Sequence, residues 1–130
     1  MAVRVLLIDD DPLIREIGRE MLSRAGYAVT TAEDGAEGLK TVAEGDFDLL
    51  ITDMVMPDAD GLDVIREVRD RLPDLPVIAI SSGGRVGADF YLKLASAMGA
   101  NAVFPKPLRK EPFLALVEHV LKGGEAAAAA

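Results

Sequence analysis

The feature that most constrains the fold of this chain is a fivefold alternation. Short aliphatic runs recur at residues 3–8, 27–31, 49–53, 77–80 and 102–104. Each is followed by a stretch whose apolar residues repeat at helical spacing. The stripes are Leu13, Ile14, Ile17, Met21 and Leu22; Ala36, Leu39, Val42 and Ala43; Leu62, Ile65, Val68 and Leu72; Phe90, Tyr91, Leu94, Ala97 and Met98; and Phe113, Leu116, Val117, Val120 and Leu121. Strand runs that lack polar alternation are covered on both faces. With a helix after every strand, this predicts an α/β domain: a doubly wound, five-stranded parallel sheet with right-handed crossovers and helices on both faces. The stripes are read as core. Pro105 argues for an edge position of the fifth strand, because proline donates nothing to a central ladder.

Local signals punctuate the pattern. Asp11 before Pro12 suits the start of a helix. Asp34 with Glu37 three residues on reads as a capping box. Gly26, Gly45 and Gly99 stop helices. The domain is expected over residues 1–122, and residues 123–130 read as an alanine-rich tail, disordered or appended, with no function.

Composition narrows the chemistry. The 130 residues carry no cysteine, which excludes disulfides and thiolate metal sites and fits a cytoplasmic protein. No signal peptide and no run long enough to span a membrane is visible. A formal net charge of −8 is poor for direct nucleic-acid binding. The single histidine, His119, leaves little for imidazole-built zinc sites or a catalytic triad.

In a parallel α/β sheet, ligands bind beyond the carboxyl ends of the strands where the winding reverses. Asp9, Asp10 and Asp11 end the first strand, Asp53 the third, Ser81 and Ser82 the fourth, and Lys106 the fifth. Clustered carboxylates need a compensating cation. Mg²⁺, with Mn²⁺ as an alternative, suits oxygen ligands. Asp10 and Asp53 are the candidate direct ligands, with Asp9 holding a metal-bound water. Ser81 and Lys106 can receive phosphoryl oxygens. A carboxylate can act as nucleophile and form an acyl phosphate, which makes Asp53 the candidate acceptor. Asp11 is read as a helix cap and His119 as structural or exposed.

In this order and spacing the residues resemble the receiver domain of bacterial two-component response regulators. The acidic pair Asp9–Asp10, the strand-ending Asp53, the loop Met56-Pro57-Asp58-Ala59-Asp60-Gly61, the hydroxyl of Ser81 and the pair Lys106-Pro107 carry the resemblance. It covers residues 3–121. It implies a flavodoxin-like fold with strand order 2-1-3-4-5. It implies phosphorylation of Asp53, a Mg²⁺ ligand from the Val55 backbone carbonyl, phosphoryl contacts from Ser81 and Lys106, and a cis peptide bond before Pro107. It implies a protein that catalyses its own phosphorylation and dephosphorylation, with a histidine kinase or histidine phosphotransfer protein as donor. The output is then a downstream protein target or onward transfer of the phosphate. The chain shows no output domain, which fits a stand-alone receiver.

Two departures from the family pattern concern the switch region at Ser82, Gly83, Gly84 and Val103. Family members often carry an aromatic residue where this chain has Val103, and the period of two points Phe104 to the other face. The segment between Ser81 and Lys106 is also a few residues longer than usual, with a glycine-rich start. Small residues at Ser82 and Gly83 leave room for an imidazole or a water. The alternatives are a degenerate receiver that only binds protein, a small Mg-dependent phosphatase suggested by Asp9-x-Asp11, and a flavodoxin-like redox protein, which the scarcity of aromatics disfavours.

Overall fold

A computed structural model describes residues 2–54, 56, 61–81 and 88–123, without the side chains of residues 88, 89, 91 and 92. Strands and helices alternate strictly: β1 (Arg4–Ile8), α1 (Pro12–Arg24), β2 (Ala28–Ala32), α2 (Gly35–Glu44), β3 (Leu49–Asp53), α3 (Gly61–Arg71), β4 (Val77–Ser81), α4 (Ala88–Ala97), β5 (Ala102–Pro105) and α5 (Lys110–Leu121). All strand pairs are parallel, in the order β2-β1-β3-β4-β5. The winding reverses between β1 and β3. The fifth strand lies at an edge, as Pro105 requires.

Two aliphatic layers sandwich the sheet. On one face Leu6, Ile8, Leu50, Ala79 and Val103 pack with Val42 of α2, Val64, Ile65 and Val68 of α3 and Ala95 of α4. On the other, Val5, Leu7, Ile51, Ile80 and Phe104 pack with Leu22 of α1 and Phe113, Leu116, Val117 and Val120 of α5. Val103 and Phe104 therefore face opposite layers. Phe104 meets Phe113 edge-on, with ring centroids 5.2 Å apart.

Asp11 and Asp34 cap α1 and α2, Asp34 forming the half of the capping box that its own side chain supplies. Asp11 Oδ1 accepts from the Leu13 N–H at 2.9 Å, and Asp34 Oδ1 from the Glu37 N–H at 2.8 Å. The helix stripes need correction. Leu13 and Ile17 of α1 are exposed, by 63% and 41%. Ala36, Ala43, Leu72, Phe90 and Ala97 are exposed as well. The buried residues are Gly18 and Leu22 in α1 and Gly35, Gly38 and Val42 in α2. A Cβ on Gly18 would stand 2.5 Å from Leu7 Cδ2, so a side chain there would force Leu7 to shift beneath α1. Apolar periodicity misplaces such faces because the closest-packed position carries no side chain. Tyr91 lies outside the described side chains.

At the opposite end of the sheet from the acidic residues, Arg69 ties three elements. Its Nε donates to the Gly99 carbonyl at 2.8 Å, its Nη1 to the Leu75 carbonyl at 2.7 Å and its Nη2 to Asn101 Oδ1 at 2.6 Å. Asn101 Oδ1 also accepts from the Val77 N–H at 2.9 Å. Burial lowers the pKa of this guanidinium, against the opposing charge of Asp74.

The packing predicts a contrast between two apolar residues. Phe113→Ala empties a fully buried site and should cost about 3–5 kcal/mol. Leu13→Ser should cost no more than about 0.5 kcal/mol, as expected of a surface position. Urea unfolding of the two variants measures the difference.

Candidate functional site

Strand register builds the site. Ile8 of β1 pairs with Thr52 of β3, so the next residues, Asp9 just past β1 and Asp53 at the end of β3, stand side by side at the reversal of winding. Ser81 pairs with Pro105, which sets Lys106 just beyond the end of β4. The Lys106 N–H donates to the Ser81 carbonyl at 3.0 Å. Residues scattered over most of the chain thus meet because the strands run the same way.

One oxygen each from Asp9, Asp10 and Asp53 lie within 4.8 Å of one another. Asp9 and Asp53 are buried, and Asp10 is exposed. Lys106 Nζ reaches into the cluster, 2.8 Å from Asp9 Oδ2 and 3.4 Å from Asp53 Oδ2. Burial works against the ammonium charge. Contact with Asp9 and the charge of Asp53 outweigh it and hold the Lys106 pKa above the usual lysine value. Ser81 is fully buried at the same edge. Asp53 Oδ1 accepts from the Met54 N–H at 2.8 Å. Asp11, read as a cap, is one.

The donor set fits a hard divalent cation. All the ligand atoms are oxygens, and three carboxylates outnumber the one ammonium among them. Asp9 Oδ2 is buried, and its partner is the Lys106 ammonium at 2.8 Å, which also faces Asp53 Oδ2 at 3.4 Å. One ammonium shared between two buried carboxylates, with a third carboxylate beside them, leaves negative charge that a further cation would offset.

Gly61 explains why a glycine closes the loop after Asp53. A Cβ there would collide with the Asp53 carbonyl oxygen and stand 2.7 Å from Met54 Cα. The Gly61 N–H instead donates to the Met54 carbonyl at 3.2 Å. The start of α3 is thereby pressed against the backbone that carries Asp53. The peptide bond between Lys106 and Pro107 is cis. Val55, Pro57, Asp58, Ala59, Asp60, Ser82, Gly83 and Gly84 lie outside the described residues. Val103, the remaining residue of the expected switch region, is buried beneath α4. His119 is exposed on α5.

The sequence reading missed one residue beside the site. Arg15 of α1 donates from Nη1 to the backbone carbonyl of Asp9 at 2.8 Å. No motif announces it, because one arginine in the first turns of an amphipathic helix looks like any solvated charge.

The model of the response regulator receiver domain matches residues 5–118. The chain belongs to that family. Response regulator MprA of Mycobacterium ulcerans is 37% identical over 123 residues, which make up 94% of this chain and 51% of that protein. MprA of Mycobacterium tuberculosis gives the same identity over 52% of its length. The receiver domain thus spans about half the length of the curated relatives it matches. Among solved structures, the chemotaxis protein CheY4 of Vibrio cholerae is 29% identical with a TM-score of 0.83, covering 92% of this chain and 99% of that one. The response regulator TrrA of Thermotoga maritima, solved in complex with Mg(2+)-BeF, is 33% identical with a TM-score of 0.80, covering 89% and 96%. The flavodoxin-like order of the sheet is shared with these CheY-like folds. Among the described residues of this receiver domain, no helix is long and apolar enough to cross a membrane.

Gly61→Ala should move α3 or the Asp53 backbone and cost about 1–3 kcal/mol, the range for overpacking a tight contact. Urea unfolding gives the cost. Amide chemical shifts at Asp53 and Met54 should change most.

Proposed function

We propose that this receiver domain, over residues 1–122, takes a phosphoryl group on Asp53 in a Mg²⁺-dependent reaction and thereby changes its binding to a protein target, or passes the phosphate on. The observation that carries the reading is the meeting of buried Asp53 with a second buried carboxylate and the Lys106 ammonium at the reversal of winding. A degenerate receiver would lack one of these groups. A phosphatase would turn over substrate rather than keep one phosphoryl group on itself.

Asp53 is the nucleophile on this reading. One of its oxygens forms a bond to phosphorus as the bond from phosphorus to the donor breaks, the electron pair leaving with the donor group. Lys106 holds positive charge at the two buried carboxylates and can pair with a phosphoryl oxygen. The Ser81 hydroxyl can donate to another. Asp10 and Asp53 would hold Mg²⁺, or Mn²⁺, directly and Asp9 through water, with the Val55 carbonyl as a further ligand. Such an ion would offset the negative charge gathered at the site during transfer. The likeness to TrrA, whose complex contains Mg(2+)-BeF, supports this assignment.

The donor is a phosphohistidine on a histidine kinase or a histidine phosphotransfer protein. The surface beside the site supports a protein donor. α1 begins directly after the acidic residues and shows solvent the apolar pair Leu13 and Ile17, four residues apart on the helix. Such a pair suits the apolar face of a partner helix. The output is a protein target in the cytoplasm rather than nucleic acid, in keeping with the net charge of −8.

With Mg²⁺ and a small acyl phosphate, intact mass should show one added phosphoryl group. Asp53→Asn or chelation of the metal should abolish it, and label persisting in Asp53→Asn would overturn the assignment. In a second measurement, Leu13→Lys with Ile17→Lys should slow transfer from a phosphohistidine protein by about tenfold or more, as loss of an apolar anchor pair would. Labelling by the acyl phosphate should be unaffected.

A further inference from the structure

Asp9 and Asp10 are neighbours in sequence but are held very differently. Asp9 is tied at every polar group. Its N–H donates to the Ala32 carbonyl at 3.1 Å, and its Oδ1 accepts from the Asp11 N–H at 2.9 Å. Its Oδ2 meets Lys106, and its carbonyl accepts from Arg15 Nη1 at 2.8 Å. Asp10 is exposed, and among the described residues no hydrogen bond or ion pair holds its side chain. Its carboxylate nonetheless lies with those of Asp9 and Asp53.

The peptide plane between the two residues explains how. The Asp9 carbonyl and the Asp10 N–H belong to one rigid planar unit. Fixing the direction of that carbonyl fixes the Asp10 N–H and Cα, and leaves only the φ and χ1 of Asp10 to set where its carboxylate lies. Arg15 is the group that fixes the carbonyl. Its own backbone is set by α1, where its N–H donates to the Asp11 carbonyl at 3.1 Å. The guanidinium then spans back over the turn that the three aspartates form.

We infer that Arg15 is a positioning residue for the divalent-ion site, aiming Asp10 by holding the Asp9–Asp10 peptide plane through the Asp9 carbonyl. The inference rests on the reading of Asp9, Asp10 and Asp53 as that site. It makes a prediction of opposite sign to electrostatics. A guanidinium near a cation site repels the cation, so deleting it on charge grounds alone tightens metal binding. Deleting a group that orients a ligand loosens binding instead, typically by tenfold or more.

The test is Mg²⁺ affinity, measured by calorimetry on the unphosphorylated protein, with urea unfolding to confirm that each variant folds. Arg15→Met should weaken binding by on the order of tenfold. Arg15→Gln, whose amide is too short to reach the carbonyl, should do the same and stands in should the methionine variant not fold. Arg15→Lys keeps both a donor and the charge and should recover most of the affinity. Arg24→Met removes a cation from the same helix, where it pairs with Glu20 at the surface, and should leave affinity unchanged. In the metal-free protein, Arg15→Met should speed hydrogen exchange at the Asp10 amide more than at amides of the central strands.

Unchanged or tighter Mg²⁺ binding in folded Arg15→Met and Arg15→Gln overturns the inference while leaving the site intact. Equal weakening in Arg24→Met also overturns it, by showing that a change anywhere on α1 loosens the site whether or not the tie to the Asp9 carbonyl is lost. Wild-type protein that binds no Mg²⁺ removes the site itself, and the role of Arg15 with it.

Discussion

A buried Asp9 next to a buried Asp53 is the constraint around which this domain is arranged. Removing a carboxylate from water costs several kcal/mol even after relaxation. Two of them side by side add repulsion. The fold tolerates this because parallel register brings Lys106, from the far edge of the sheet, into contact with both. The lysine cannot be supplied by a neighbour in sequence. It needs β4 paired to β3 and β5 to β4, so the local charge balance depends on the whole right half of the sheet.

The same dependence explains what was legible in the sequence. Strand-ending polar residues stand out because the runs before them are purely aliphatic, and parallel winding gathers strand ends at one edge. Asp9, Asp10, Asp53, Ser81 and Lys106 could therefore be placed together without coordinates. The helix faces were less legible. Gly18 and Gly38 belong to no apolar stripe, yet they are where α1 and α2 come close to Leu7 and Ile8 of the sheet. The aliphatic residues Leu13 and Ile17 were expected inside and are outside. Periodicity counts apolar side chains and cannot see a face defined by having none.

Backbone contacts were the other hidden layer. Gly61 serves the site because its missing side chain lets α3 approach the Asp53 carbonyl. Arg15 serves it through the carbonyl of Asp9 rather than through any carboxylate. Neither contact involves the side chain of the residue it positions. A pattern search over acids, bases and hydroxyls passes over both, although they set the directions in which the recognisable groups point.

The Arg69 ties have a mechanical consequence. They clamp the carbonyl of Gly99, just past the end of α4, to α3 and to the start of β4. That end of α4 is held through its backbone as well as through its apolar face. The polar fastening of α3, α4 and β4 therefore sits at the edge of the sheet remote from the carboxylates.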